Sequence, residues 1–263
     1  MFPLRDSIIR THQAYVVWGL IALNVVVFAY QLTLSQTDLQ AFLMQHALVP
    51  RRYSHPGWGS QMGLSALDVT PLLTNTFLHG GFLHIISNMW TLYIFGPSLE
   101  DRLGPGRFLA LYLIAGIAAS ATHAVFNANS PIPALGASGA IAGVIGAYAV
   151  RFPYAWVRVL VLIVIFPLFF DIPAVLFAGF WFFMQVMQGA GEFLMPSAGG
   201  GIAWWAHIGG FLTGLFLLPR IRPEAGAPGP WGRWTPDSRL HMFGPTSPGW
   251  HWWSWWTWWL PRR

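Results

Sequence analysis

The chain alternates long apolar runs with short clusters of arginine, proline and glycine. Uncharged windows cover residues 11–37, 69–99, 108–150, 172–191 and 193–219. A charge at the bilayer centre costs about 2.5–3.5 kcal/mol on insertion scales, and a crossing takes about 20 residues. Four windows therefore hold one helix each. The window 108–150 holds two, broken at the turn formers Asn127-Ala-Asn-Ser-Pro-Ile-Pro133. The pattern predicts six spans, at roughly 14–34, 82–98, 107–126, 137–151, 171–190 and 203–219.

Val159–Phe170 fits this scheme less well. As a helix it rises only about 18 Å, short of a ~30 Å hydrocarbon core, and Pro167 interrupts it. It reads as an interfacial segment leading into the fifth span; a crossing here makes the count seven. Outside the six-helix domain of 14–219 lie a short N-terminal segment, 1–13, and a tail, 220–263. The tail is rich in proline and glycine and holds nine of the sixteen tryptophans. Within the domain, about 35–70 forms a long external loop with amphipathic pieces such as Leu39-Gln-Ala-Phe-Leu-Met44.

Composition turns these spans into a fold class. Apolar residues are 55% of the chain and charged residues 9%, whereas a soluble domain carries about 25% charged residues. An all-α polytopic membrane protein is predicted, with the lipid bilayer as its first partner. Disordered and collagen-like readings fall, and the absence of cysteine removes a disulfide scaffold. The net charge of +5 comes from arginine alone, there being no lysine. These arginines sit in the breaks between spans, so they report topology and not a nucleic-acid face. Arg5, Arg10, Arg102, Arg107, Arg151, Arg158, Arg220 and Arg222 predict both termini on the cytoplasmic side. The first span, without a cleavage site behind it, reads as a retained helix. A multi-pass protein of a prokaryotic plasma membrane is expected, with its polar layer opening to the outer side.

That polar layer is built from three even-numbered spans. His84 and Asn88 are four apart and share a helix face in the second. Ser138 opens the fourth, and His207 lies in the first turns of the sixth. All three spans start from the same side, so the four residues share one depth. Gly139 and Gly143 give the fourth span a small-residue face, and Gly210-x-x-x-Gly214 does the same for the sixth. Such faces let backbones approach closely. If they meet, Ser138 and His207 come within hydrogen-bond reach, as a nucleophile and its base must. His84, Asn88 and the Ser138 amide are then suitable donors to an oxyanion. Taken singly, a serine in a Gly/Ala-rich helix is usually packing, and His79 and His123 read as a helix cap and a bundle hydrogen bond. An intramembrane histidine is more telling, because buried polar groups there are costly. His-Glu-x-x-His is absent, and Asp171 is the one acidic residue near a span end. Zinc and di-aspartyl hydrolysis are thereby set aside, with no metal and no cofactor expected.

These segments resemble the rhomboid intramembrane serine proteases. The resemblance rests on His79-Gly-Gly-x-x-His84-x-x-x-Asn88-Met, Glu100-Asp-Arg-Leu-Gly104, Gly136-x-Ser138-Gly139 and Ala206-His207-x-Gly-Gly210, in family order over about 70–219. It implies a six-helix rhomboid-like bundle with Ser138 as nucleophile and His207 as base. His84, Asn88 and the Ser138 amide become the oxyanion hole, and no third acid is expected. It also implies single-pass transmembrane proteins as substrates, cut in or near their spans, with a small residue at the cut. Two positions depart from the family. The aromatic residue that stacks under the base in some members is Ala142 here, and Thr70-Pro71 stands where some carry Trp-Arg. The fifth span around Phe180–Gln185 and the loop Gly189–Gly201 are the expected movable side. Two other readings of the same residues stay open: an inactive relative that binds membrane clients, and a transporter using the polar layer as a solute path.

Overall fold

The computed structural model describes residues 1–163, 165–194 and 203–221. Of the expected movable loop Gly189–Gly201, residues 195–201 lie outside the described residues, as does the tryptophan-rich tail beyond Ile221.

An N-terminal strand, β1 (Phe2–Asp6), precedes the first long helix, α1 (Tyr15–Thr33). The long loop then folds into α2 (Gln36–His46), α3 (Arg51–Ser54) and α4 (Pro56–Gln61), followed by α5 (Pro71–Thr74). Five more helices complete the bundle: α6 (Phe82–Leu103), α7 (Pro105–Phe126), α8 (Ser138–Arg151), α9 (Ala174–Leu194) and α10 (Trp204–Leu217). The six predicted spans thus each contain a helix, with ends displaced by a few residues. Among the described residues, Tyr15–Thr33, Pro105–Phe126 and Ala174–Glu192 are long and apolar enough to cross a membrane by length and composition. The apolar α8 has only 14 residues.

Two expectations are corrected between α8 and α9. The fold is not all-α, and the fifth predicted span does not begin as a helix at residue 171. The segment Val159–Phe170 falls in a hairpin of β2 (Trp156–Ile163) and β3 (Phe166–Pro173), and β1 joins it in an antiparallel sheet of order β1-β2-β3. Valine, isoleucine and phenylalanine suit a pleated surface. Pro167 is tolerated because β3 is an edge strand. Arg158 and Asp171 face each other in register, and the guanidinium donates to both carboxylate oxygens at 2.8 and 2.6 Å. The acid taken from the sequence as the start of the fifth span therefore closes a strand pair, and the helix begins at Ala174.

The core centres on α8, whose residues from Gly139 to Ala149 are all buried. A helix apolar on every face belongs inside. Its glycines permit this: a Cβ on Gly210 would strike the Gly139 carbonyl oxygen, and one on Gly214 the Gly143 carbonyl oxygen. On the opposite side, a Cβ on Gly139 would lie 2.6 Å from that of Ala119 in α7. Thus α8 is wedged backbone-close between α7 and α10.

Buried carboxylates lock the end of the bundle away from Ser138. Glu100 accepts the Val16 and Val17 amides at 2.9 and 2.8 Å, capping α1, which has no side-chain cap of its own. Asp101 accepts the Thr11 amide at 3.0 Å, its hydroxyl at 2.9 Å and the His12 amide at 2.7 Å. Asp6 accepts the Tyr148 hydroxyl at 2.9 Å, tying β1 to α8. The Glu100-Asp-Arg-Leu-Gly104 segment is therefore a structural clamp, ended by Gly104 at a φ of +78°.

Candidate active site

Ser138 is the first residue of α8, and the chain before it is held on both sides. Leu48 and Ala134 exchange backbone hydrogen bonds at 2.9 and 2.8 Å, fastening the long loop to the approach. The Gly136 amide donates to the Asn75 carbonyl at 2.9 Å. The long loop is itself pinned by buried Arg52, which donates to the Ser65 carbonyl and the Asp68 carboxylate, each at 3.2 Å. Gly136 has a φ of +129°, and a Cβ there would sit 2.6 Å from His84 Nε2 and 3.6 Å from Asn88 Nδ2. Glycine is required on two counts: the left-handed backbone and the space taken by the imidazole.

The glycine seam then sets the separation of α8 and α10. His207 Nε2 lies 2.8 Å from Ser138 Oγ, a contact between residues 69 apart in sequence. His207 is buried, at 7% exposure. Its other nitrogen, Nδ1, lies 2.8 Å from Oε1 of Gln185 on α9. The rings of Trp181 and Trp204 flank it at 5.8 and 6.1 Å.

From α6, His84 and Asn88 reach the same place, one turn apart. The Gly80 amide points at His84 Nδ1 over a long 3.4 Å. An acceptor Nδ1 leaves Nε2 as the protonated donor facing Gly136. Asn88 donates from Nδ2 to His79 Nε2 at 3.0 Å, and Gln31 holds the His79 backbone by its amide and carbonyl. With one Asn88 hydrogen engaged, the second remains for the site. Beside Ser138 lies a small, mostly apolar pocket to which Thr76, Ser120 and His123 contribute polar groups.

Three helices thus bring together Ser138, His207, His84 and Asn88, the residues expected from the sequence, and Gly139, Gly143, Gly210 and Gly214 make the predicted close contact. His79 is not a simple helix cap: it is buried and holds Asn88. His207 is not kept in place by glycine packing alone, since Gln185 and Trp181 hold it from α9. Sequence reasoning missed Gln185 as a partner, although a lone glutamine inside Phe180-Trp-Phe-Phe-Met-Gln185 is the kind of intramembrane polar residue that signals function. His123, expected to make a bundle hydrogen bond, instead takes a local one from Asn127 at the end of its own helix, at 3.2 Å.

Comparison with known proteins matches residues 66–223 to the Rhomboid domain. The mitochondrial Rhomboid protein 1 of Saccharomyces cerevisiae is 29% identical over 218 residues, covering 78% of this chain and 53% of the yeast protein. Rhomboid protease GluP of Bacillus subtilis is 47% identical over 76 residues, 29% of this chain and 14% of that protein. The mitochondrial Presenilin-associated rhomboid-like protein A of Danio rerio is 32% identical over 151 residues, 57% of this chain and 36% of its own length. The chain spans about half the length of these relatives or less. The matches also correct the expected location. Mitochondrial proteins of yeast and zebrafish and rhomboid-like proteins of Arabidopsis thaliana stand among them, which points away from a prokaryotic plasma membrane and withdraws the sidedness tied to it. With its domain match covering more than half of its length, the chain belongs to the rhomboid family.

Proposed function

We propose that the chain is an intramembrane serine endopeptidase whose six long helices all cross the bilayer. The observation that carries this reading is the 2.8 Å contact between Ser138 Oγ and His207 Nε2 at the mouth of a glycine-lined seam. A helix of 14 residues beginning at Ser138 rises only about 21 Å, so the hydroxyl lies below the surface of a ~30 Å core. The small pocket beside it, with Thr76, Ser120 and His123 in its lining, is where a water can wait.

In this mechanism His207 Nε2 takes the hydroxyl proton as Ser138 Oγ attacks a peptide carbonyl. The carbonyl oxygen becomes an oxyanion, met by the Ser138 amide, His84 Nε2–H and the free Asn88 Nδ2–H. Helix-start amides have no intrahelical partner, and fixed donors need no reorganisation as charge develops. His207 then protonates the leaving amine, and a water repeats the sequence on the acyl-enzyme. Hydrolysis needs neither metal nor cofactor in this scheme. Substrates are single-pass transmembrane proteins whose helix opens readily, with a small residue at the cut, as the resemblance to the family implies. The GluP relative is named a protease, in keeping with the scheme.

The test is covalent labelling with a fluorophosphonate alongside cleavage of a transmembrane test substrate. Labelling at Ser138 and loss of cleavage in Ser138→Ala are expected. Full cleavage by Ser138→Ala, or a wild-type chain that neither labels nor cuts, refutes the reading.

A further inference from the structure

We propose that Gln185 is a positioning residue for the dyad, holding His207 in the tautomer whose Nε2 can accept the serine proton. The proposal rests on the protease reading above and adds to it a third helix, α9.

The direction of the hydrogen bonds follows from which groups can donate. Gln185 is buried, at 6% exposure, and its Nε2 lies 3.1 Å from the Trp181 carbonyl oxygen one turn earlier. A carbonyl only accepts, so the NH2 end of the amide is the end that faces Trp181. The Oε1 end then faces His207 Nδ1 at 2.8 Å. An amide oxygen also only accepts, so Nδ1 must carry the hydrogen. A neutral imidazole carries one such hydrogen, which leaves Nε2 bare toward Ser138 Oγ, 2.8 Å away. Only one consistent chain of donation remains: Ser138 hydroxyl to His207, His207 to Gln185, Gln185 to the Trp181 carbonyl.

The same chain survives proton transfer. When His207 takes the serine proton, both ring nitrogens become donors, and Gln185 Oε1 still accepts from Nδ1. No bond to Gln185 is made or broken. A carboxylate in this position would hold the tautomer equally well and would in addition favour the imidazolium; a neutral amide orients without that charge. The rings beside the imidazole fit an orienting role: Trp181, on the same helix as Gln185, lies 5.8 Å from it at 37°, and Trp204 lies 6.1 Å away. Besides Ser138, the titratable groups acting on His207 are His84 of α6 and His123 of α7. Thus α9 supplies the hydrogen-bond acceptor together with one of the flanking rings.

The test uses the full chain in proteoliposomes, comparing wild type, Gln185→Leu and Gln185→Glu for substrate cleavage, fluorophosphonate labelling and unfolding temperature. Gln185→Leu should lose on the order of 10–10²-fold in both rates, the range for removing the orienting partner of a metal-bound histidine, while remaining folded at a somewhat lower unfolding temperature because the buried Nδ1–H is left unpaired. Gln185→Glu should recover most of the rate and move the acid limb of the pH–rate profile to higher pH, since an adjacent anion favours protonated His207. A leucine variant as active as wild type overturns the proposal, as does a glutamate variant with an unmoved acid limb. If the leucine variant does not fold, the 15N spectrum of labelled His207 in the wild type decides. A protonated Nδ1 with bare Nε2 supports the assignment, and the opposite tautomer defeats it. Failure of the protease reading itself looks different, because the wild type then neither labels nor cuts.

Discussion

Between Ser138 and His207 one proton must move, and the pair should behave as a unit. Ser138→Ala and His207→Ala should each abolish cleavage, and the double variant should be no worse than either, because residues acting together are non-additive. Stepwise, additive losses measured on a transmembrane substrate would contradict the shared role. Asn88→Ala removes one oxyanion donor and should cost about 10²–10³-fold in kcat; a loss in KM alone would place Asn88 in substrate binding. The base works only when neutral, so the rate should fall on the acid side as His207 takes a proton. A rate that does not fall at any acid pH at which the protein stays folded would exclude histidine as the base. Ser138, His207, His84 and Asn88 could be anticipated because three helices starting from one side place their first turns at one depth. Gln185 carried only the general signal of a lone polar residue in an apolar helix: it lies mid-helix on α9, and only the packed structure reveals which way its amide faces.

Helix contacts account for the fit of the site, and the glycine seam is where they are tightest. Because added Cβ atoms at Gly210 and Gly214 meet backbone carbonyls of α8, neither neighbour can yield by changing rotamer. Gly210→Ala and Gly214→Ala should each destabilise by about 1–3 kcal/mol and cut activity by separating the dyad. Gly179→Ala on α9, with nothing within 4 Å of the new methyl, should be neutral or slightly stabilising. Equal losses at all three, by thermal unfolding and cleavage, would show that any helix glycine matters and not the seam. At this scale the charge gaps located every long helix, since a buried charge is costly wherever the chain crosses. They could not resolve Val159–Phe170, where apolar content is equally compatible with a short helix or a hairpin. The deciding contacts, Arg158 with Asp171 and β1 with β2, link residues that periodicity never compares.

Across the whole molecule, that sheet joins the N-terminal strand to the connection between α8 and α9, while Asp101 ties the following segment to the end of α6. Burial pushes the Asp101 carboxyl up, but hydrogen bonds from Thr11 and His12 outweigh it and leave the group below its ordinary value. A lowered carboxyl contributes stability that is present above the unfolded value of about 3.9 and is lost as pH falls through the folded one. Asp101→Asn should therefore lower the unfolding temperature at neutral pH and flatten its decline under acid. An unchanged acid decline would assign that transition to other groups. The pairing of Phe2 with Leu160 also has a consequence for how the protein is made. At about 5–20 residues per second, β1 leaves the ribosome roughly ten to thirty seconds before its partner strand exists. For that interval its backbone donors and acceptors must be served by water or lipid headgroups, while several helices insert. Pairing of β1 must then wait for β2, and a chain stalled before residue 156 holds this segment by helix contacts such as those of Asp6 with Tyr148 and Asp101 with Thr11, without the sheet.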